Sequence, residues 1–380
     1  PAANGAPKKI SVKPMQLVTT VGTPDEVSGV VASGKTLIVF GSKASKAYAR
    51  AVDTTGKEIW NLSLDPSVAS IATAAAVDSV GDIWIAGATP LSLGLTPPSP
   101  SPTPVNPDNA SVPPTSTLSN LQALAVWKIS AAGSLLSANT MPTSSVLFPT
   151  SISVDRNGAS VVGIIGSEKG NAGFLVNTDK AGLFGKMLQI GLVSTTADAV
   201  VRHTDGSFTV AGSSSEALAG KKLAGVTDGV LIKVSKSLKI TNVVRSSAVK
   251  GKRIWNSASS TLLLGGEVVA AGKTETAVTK FSSSFAPTWT YRFTSTGPVF
   301  NAVGPSKSHY SFFASTSAIT NILGWNPKRA SGLVIAFDSK GALMGAYSAS
   351  ALTQPRAAAY SKDLGLVVAG TSGETVSIFH

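Results

Sequence analysis

The sequence predicts an all-β protein in which one four-stranded antiparallel unit is repeated around a ring. Three observations carry that expectation. Short apolar, β-branched runs recur along the chain, punctuated by turns rich in Gly and Asp. The stretch DAVVRHTDGSFTVAGSSS, Asp198 to Ser215, places two such runs around Asp205-Gly206, a dipeptide that accepts the positive φ of a tight hairpin turn. Two more runs, VLIKVSKS and LKITNVV, follow after a loop. That makes four strands in roughly fifty residues, an order that returns along the chain.

Composition agrees. The 380 residues are 43% hydrophobic but only 14% charged, with 36 Gly and 21 Pro, which suits a turn-rich β protein and not a helical bundle. No cysteine is present, so disulfides, thiolate metal sites and cysteine nucleophiles are excluded. No run of about eighteen apolar residues occurs, so no membrane-spanning helix is expected. The chain opens PAANGAPKK without Met, like the remnant of signal-peptide cleavage, and a secreted or surface-attached bacterial protein is the expectation. Residues 1–9 read as a flexible segment and 10–380 as one repeat domain.

In chain order, the first unit reads EVSGVVAS, TLIVFGS and AYARAVDTTGKEIWNLSL. The second reads ATAAAVDS, IWIAGAT, ALAVWKIS and LLSANT, interrupted at 90–121 by an insertion containing TPPSPSPTPVNPDNASVPPTSTLSN. Proline at that density removes ladder donors and favours an extended arm or tether, a candidate for self-association. The third reads SISVDRNG, SVVGIIGS, GFLVNTDKAG and LFGKMLQIG, and the fourth is the stretch around Asp205. The fifth reads RIWNSASSTLLLGG, EVVAAGKT, TAVTKFSSS and TWTYRFTS; the sixth FNAVGPSKS, YSFFASTS, GLVIAFDSKG and ALMGAYSAS. The last has three runs, RAAAYSKD, LGLVVAGTS and TVSIFH, and the lone N-terminal strand within Ile10 to Thr20 is expected to supply its fourth. Joining the two ends of the chain in one unit removes open sheet edges. The expectation is a seven-bladed β-propeller.

The pattern Asp-x-x-Gly, apolar strand, Ala-Gly-Ser/Thr recurs at Asp155 to Ser167, Asp205 to Ser213 and Gly365 to Thr371. It resembles the repeats of bacterial secreted seven-bladed β-propeller proteins over nearly the whole chain. That resemblance implies the fold and carries no single activity. AVDTTGKEIW, Ala51 to Trp60, resembles a quinoprotein-type repeat in which Trp docks between blades. Only Trp60, and loosely Trp289, fit it, so no cofactor is expected.

Long connections are where a rigid scaffold carries binding residues. The second-to-third-strand loops are long in units two, four and six, which marks one face as the working surface. Of the formal charge of +12, a group of cations maps to that face: Lys221, Lys222, Lys250, Lys252, Arg253, Lys328 and Arg329 beside Trp325, and Arg356. Such a group attracts an anionic polymer with a salt-sensitive affinity; the opposing reading is a solvated basic face. Aromatics do not alternate with these cations, which disfavours nucleic acid. His203, His309 and His380 fall at two short turns and the C-terminus, so no histidine metal site or catalytic triad is expected. Asp78, Asp155 and Asp205 read as turn residues accepting backbone N–H groups, and Trp84 and Trp127 as core.

The function expected from these residues is non-enzymatic. It is binding or scaffolding at a cell surface, with an anionic polysaccharide or surface protein as partner. A structural subunit of a filament or surface layer, and a hydrolase or lyase at the channel mouth, are the alternatives.

Overall fold

The computed structural model describes residues 9–91 and 120–380. The expectations of a flexible N-terminal segment and of a Pro-rich arm fall on 1–8 and 92–119, outside the described residues. Among the described residues there are 29 strands and no α-helix.

Five sheets have four strands each and a sixth has nine. The nine-stranded sheet turns on a single strand, Pro287–Val303. Its first part pairs with Lys273–Phe281 and its second with His309–Ser315, with a register shift between Thr296 and Phe300. The sequence reading ends one run at TWTYRFTS and opens the next at FNAVGPSKS, with Gly297-Pro298 between them. Instead the chain runs through, with Gly297 at φ +78° absorbing the irregularity. Shared in this way, the strand joins the fifth and sixth units of the sequence reading into one sheet. The fifth unit also differs from its sequence reading: LLLGG and EVVAA are not two strands, because Leu263–Ala270 runs as one.

The N-terminal strand needs a correction too. The sequence reads Ile10 to Thr20 as one strand completing the last unit, but the structure divides it. Leu17–Gly22 pairs antiparallel with the C-terminal strand Thr375–Phe379. Ile10–Pro14 instead pairs in parallel with Leu343–Ser348, the outer strand of the unit before, and with Ile322 and Leu323. Met15 lies buried at the step between the two.

The core consists of interfaces between units. Ile38, Phe40 and Ala49 of the first unit meet Ala72, Ile85 and Trp127 of the second. Corresponding clusters follow at each later junction, and the last joins Val367 and Ile378 to Val30 and Leu37 of the first unit. Trp84 and Trp127 are fully buried in this core. Each such side chain contributes roughly 1.5–3 kcal/mol by leaving water, so the junctions carry most of the stability.

The recurring Ala-Gly pair has a specific cause. In units one to five and seven the innermost strand carries a bulge, leaving Ser28, Thr73, Thr150, Asp198, Asn256 and Arg356 outside the ladder. The bulge swings a carbonyl toward the neighbouring strand. A Cβ at Gly87 would meet Ile71 O at 1.9 Å, and one at Gly212 would meet Thr196 O at 2.1 Å. Only glycine fits opposite such a bulge. All six bulged residues are polar. Ser28 Oγ donates to Ala72 O and Thr150 Oγ1 to Ala197 O, each at 2.6 Å, tying one innermost strand to the next.

Candidate binding face

Strand direction fixes two ends for every sheet. At one end lie the turns joining first to second and third to fourth strands. Their polar side chains are used locally. Asp53 Oδ1 accepts the N–H groups of Thr55 and Lys57, Asp179 Oδ1 those of Ala181 and Leu183, and Asp338 Oδ1 those of Lys340 and Ala342. Asp78, Asp155 and Asp205 accept from Val80, Asn157 and Ser207, as their sequence positions predict. His203 bonds Thr209 Oγ1 at this end, and His309 is buried beside Thr261 and Trp289. Burial, with a smaller push from Lys280, holds the His309 imidazole down to about 4.

The opposite end carries the longer connections. The loop between Phe208–Ser214 and Asp228–Val234 holds Lys221 and Lys222, both exposed. Two carboxylates clamp it. At its start, Glu216 accepts N–H groups from Leu192, Val193 and Ser194 and the Thr195 hydroxyl at 2.7 Å. Burial alone would raise the Glu216 carboxyl; these hydrogen bonds outweigh it and leave it below the ordinary range. At the loop's end, fully buried Asp228 accepts the N–H groups of Ala224 and Gly225, each at 2.9 Å, and pairs with Arg245 at 3.2 Å. Val226 N donates to Gly251 O at 2.8 Å, and Thr227 bridges Lys252. The loop is thereby joined to the connection carrying Lys250 and Lys252, both exposed. Lys328 and Arg329 are exposed in the long loop of the sixth unit, a separate group.

Three predicted members are not part of a free basic surface. Arg253 is buried at 5% exposure, with Cζ 4.1 Å from the Trp255 ring and Nη2 3.4 Å from Thr279 Oγ1. Burial, then Arg292, brings its guanidinium down to about 10, with Glu275 opposing. The strand begins at Lys252, earlier than the sequence suggests, and the period of two turns Arg253 inward. Trp325 is half-buried, donating Nε1–H to Ser315 Oγ at 3.0 Å and packing on the core of the sixth unit. Arg356 is half-buried at the bulge of an innermost strand, away from the lysines in sequence and in loop.

The structure adds residues that the sequence reading does not select. Lys169 and Lys273 are exposed at the same end. Asp198 sits at the bulge of the fourth unit's innermost strand, bonded by Thr196 Oγ1 at 2.5 Å. Burial pushes its carboxyl up to about 6 despite that bond. Its surroundings are hydroxyl-rich, since Thr196 also contacts Ser213 Oγ at 3.0 Å. Nothing in the local sequence marks it, because the bulge that positions it is a tertiary feature.

The rest of this end is differently charged. Around the seventh and first units a cleft of about 520 Å³ is lined by Glu26, Lys43, Lys46, Tyr48 and Arg50. There Lys43 pairs with Glu26 at 3.4 Å, and Arg50 reaches Glu58 at 3.7 Å and Val21 O at 2.6 Å. Among the described residues, Lys221, Lys222, Lys250 and Lys252 join no ion pair.

No family model matches the chain, and no curated protein does. Solved structures do. A streptogramin B lyase superposes with a TM-score of 0.55 at 11% identity, covering 96% of this chain and 97% of the lyase. The WD40 β-propeller domain of Doa1 gives 0.55 at 11%, covering 96% of each. At that identity the likeness establishes the β-propeller fold and nothing about activity.

Proposed function

We propose that this protein is a closed, seven-bladed, non-enzymatic binding or scaffold protein of the cell surface or exterior. Its loop-bearing end engages an anionic surface polymer or a surface protein. One observation carries the reading: Lys221, Lys222, Lys250 and Lys252 stand exposed, and outside ion pairs among the described residues, on two connections that are hydrogen-bonded together and clamped by Glu216 and Asp228. Lysines on a fixed frame attract an anion without first ordering a loop, so less of the Coulomb gain is lost to entropy.

The test is co-sedimentation with dextran sulfate at low and high salt. Binding should fall steeply with salt, and Lys221→Glu with Lys222→Glu and Lys250→Glu should remove it. Retained binding in the triple variant would reject this face as the site. Self-assembly without polymer would favour a structural subunit instead.

The second reading, a hydrolase or lyase at the channel mouth, draws on Asp198, a carboxyl raised into the range of general acid–base work beside the linked hydroxyls of Thr196 and Ser213. Turnover of any of a set of acidic-polysaccharide or ester substrates, lost in Asp198→Asn, would support it over binding alone.

A further inference from the structure

The same end exposes apolar side chains that an anionic polymer has no use for. Val146 is 45% exposed, Phe148 50%, Leu192 52%, Val193 47%, Val226 52% and Val249 88%. These are six of the fourteen large apolar residues that stand exposed among the described ones, and all six lie at the loop end of the third to fifth units.

They form one connected arc. Gly166 N donates to Val146 O at 3.0 Å, and Ser167 Oγ reaches Leu192 O. Glu216 holds the Leu192 and Val193 N–H groups, and Val226 N reaches Gly251 O, two residues from Val249. The clamps also explain the exposure. With the backbone N–H groups of 192–194 turned inward onto one carboxylate, the Leu192 and Val193 side chains are left facing out. Val249 stands in the turn closed by Gly251 N on Ala248 O at 3.0 Å. Lys169, Lys221, Lys222, Lys250 and Lys252 are interspersed along this arc. Of its acidic groups Glu216 and Asp228 are already engaged, and Glu168 stands exposed beside Lys169, so the cations outnumber the one open carboxylate.

We propose that this arc docks on an anionic lipid surface, with the aliphatic loop tips entering the headgroup layer and the lysines meeting phosphates. The proposal rests on the reading of the loop end as the binding face and names its partner. Two features favour lipid over a folded protein. The tips protrude from separate connections instead of lining a socket. The neighbouring cleft is formed by Ser144, Ser145, Ser167, Glu168, Lys169 and Gln189 with Leu192 as its apolar member, so it offers no apolar pocket for an anchoring side chain. Aliphatic tips among lysines are what an anionic interface accepts, the tips gaining from the acyl boundary and the lysines from the surface potential.

The absence of cysteine makes the test direct, because Val249→Cys introduces a unique thiol for an environment-sensitive fluorophore. Vesicles of phosphatidylcholine, with and without phosphatidylglycerol, are added to labelled protein, and a Lys236→Cys label at the opposite end serves as control. Anionic vesicles should shift the Val249→Cys label to the blue and leave the control unchanged. Val226→Ser with Val249→Ser should weaken vesicle binding about tenfold or more while dextran sulfate binding persists. Dextran sulfate binding with no vesicle binding would overturn the lipid proposal and leave the basic face standing. Vesicle binding without a shift, unchanged in the serine variant, would also overturn it, as contact by charge alone. Binding to neither would remove both readings.

Discussion

The two ends of the sheets spend their polar groups differently. At the turn end Asp53, Asp179 and Asp338 occupy the same position in three units, and each carboxylate is consumed by its own backbone. Adjacent units are stitched there as well, Arg202 to Asp155 at 3.0 Å and Trp60 Nε1 to Ala131 O at 3.2 Å. At the loop end the carboxylates of Glu216 and Asp228 are likewise consumed, but they hold in place loops whose own lysines and aliphatic tips remain uncommitted. Exposed aliphatic groups such as Val80 and Leu183 occur at the turn end too, but there they stand on separate short turns. At the loop end they share hydrogen-bonded connections with lysines, which suits a working face. The contrast teaches where substitution should cost stability and where it should cost binding.

The largest effect should come from the glycines that the bulges demand. Gly212→Ala places a methyl 2.1 Å from Thr196 O in a packed sheet, where only backbone movement relieves it. We expect a loss of roughly 3 kcal/mol or more in urea denaturation, or failure to fold. Gly206→Ala at the turn end meets nothing closer than Lys236 Cβ at 3.5 Å and is strained only by its φ of +80°. About 1 kcal/mol should be lost there. Equal losses at the two sites would mean that the bulge does not dictate the Ala-Gly pair.

The ends should also respond to pH with opposite signs. Asp198 is raised on folding from 3.8 to about 6, so the fold favours its protonated form, and stability is lost as pH rises through that interval. His309 is lowered from 6.5 to about 4, so the fold favours the neutral ring, and stability is lost as pH falls through that interval. Each is worth at most on the order of 3 kcal/mol. Between about pH 4 and 6 the two slopes oppose in the native protein. Asp198→Asn should leave stability rising with pH, and His309→Gln should leave it falling. Denaturation midpoints taken across that range would check both signs.

Much of the fold is legible because its causes are local. The Asp-x-x-Gly turns and the Ala-Gly pair are written within ten residues of the strands they shape, and Asp205-Gly206 needs no distant partner. Ile10–Pro14 is different. It pairs with residues more than three hundred positions away, in parallel, and no turn announces such a partner. The strand through Gly297-Pro298 misleads for the reverse reason, since residues that normally break a strand are tolerated at a junction between two units. Within the candidate face, Lys221, Lys222 and Lys250 are legible as loop cations. Arg253 is not, because it reads as a loop cation, whereas it belongs to the strand and shares the inward face of Trp255 two residues on. Val249 and Val226 escape for a third reason: in a sequence an apolar residue reads as core, and only the fold shows it standing in water.

A smaller difference separates the acidic caps from the basic tips. Asp179→Ala removes the acceptor of two turn N–H groups and should cost about 1 kcal/mol, with binding unchanged. Reversing Lys221, Lys222 and Lys250 to Glu takes the formal charge from +12 to +6, two units per residue. Since no ion pair among the described residues holds these lysines, we expect less than about 0.5 kcal/mol of stability to change. Lowering a large net positive charge even relieves some self-repulsion at low salt. The loss should appear in the salt-dependent part of binding alone. A clear fall in denaturation midpoint for the triple reversal would show that these lysines serve the fold, and would erase the distinction between the two ends.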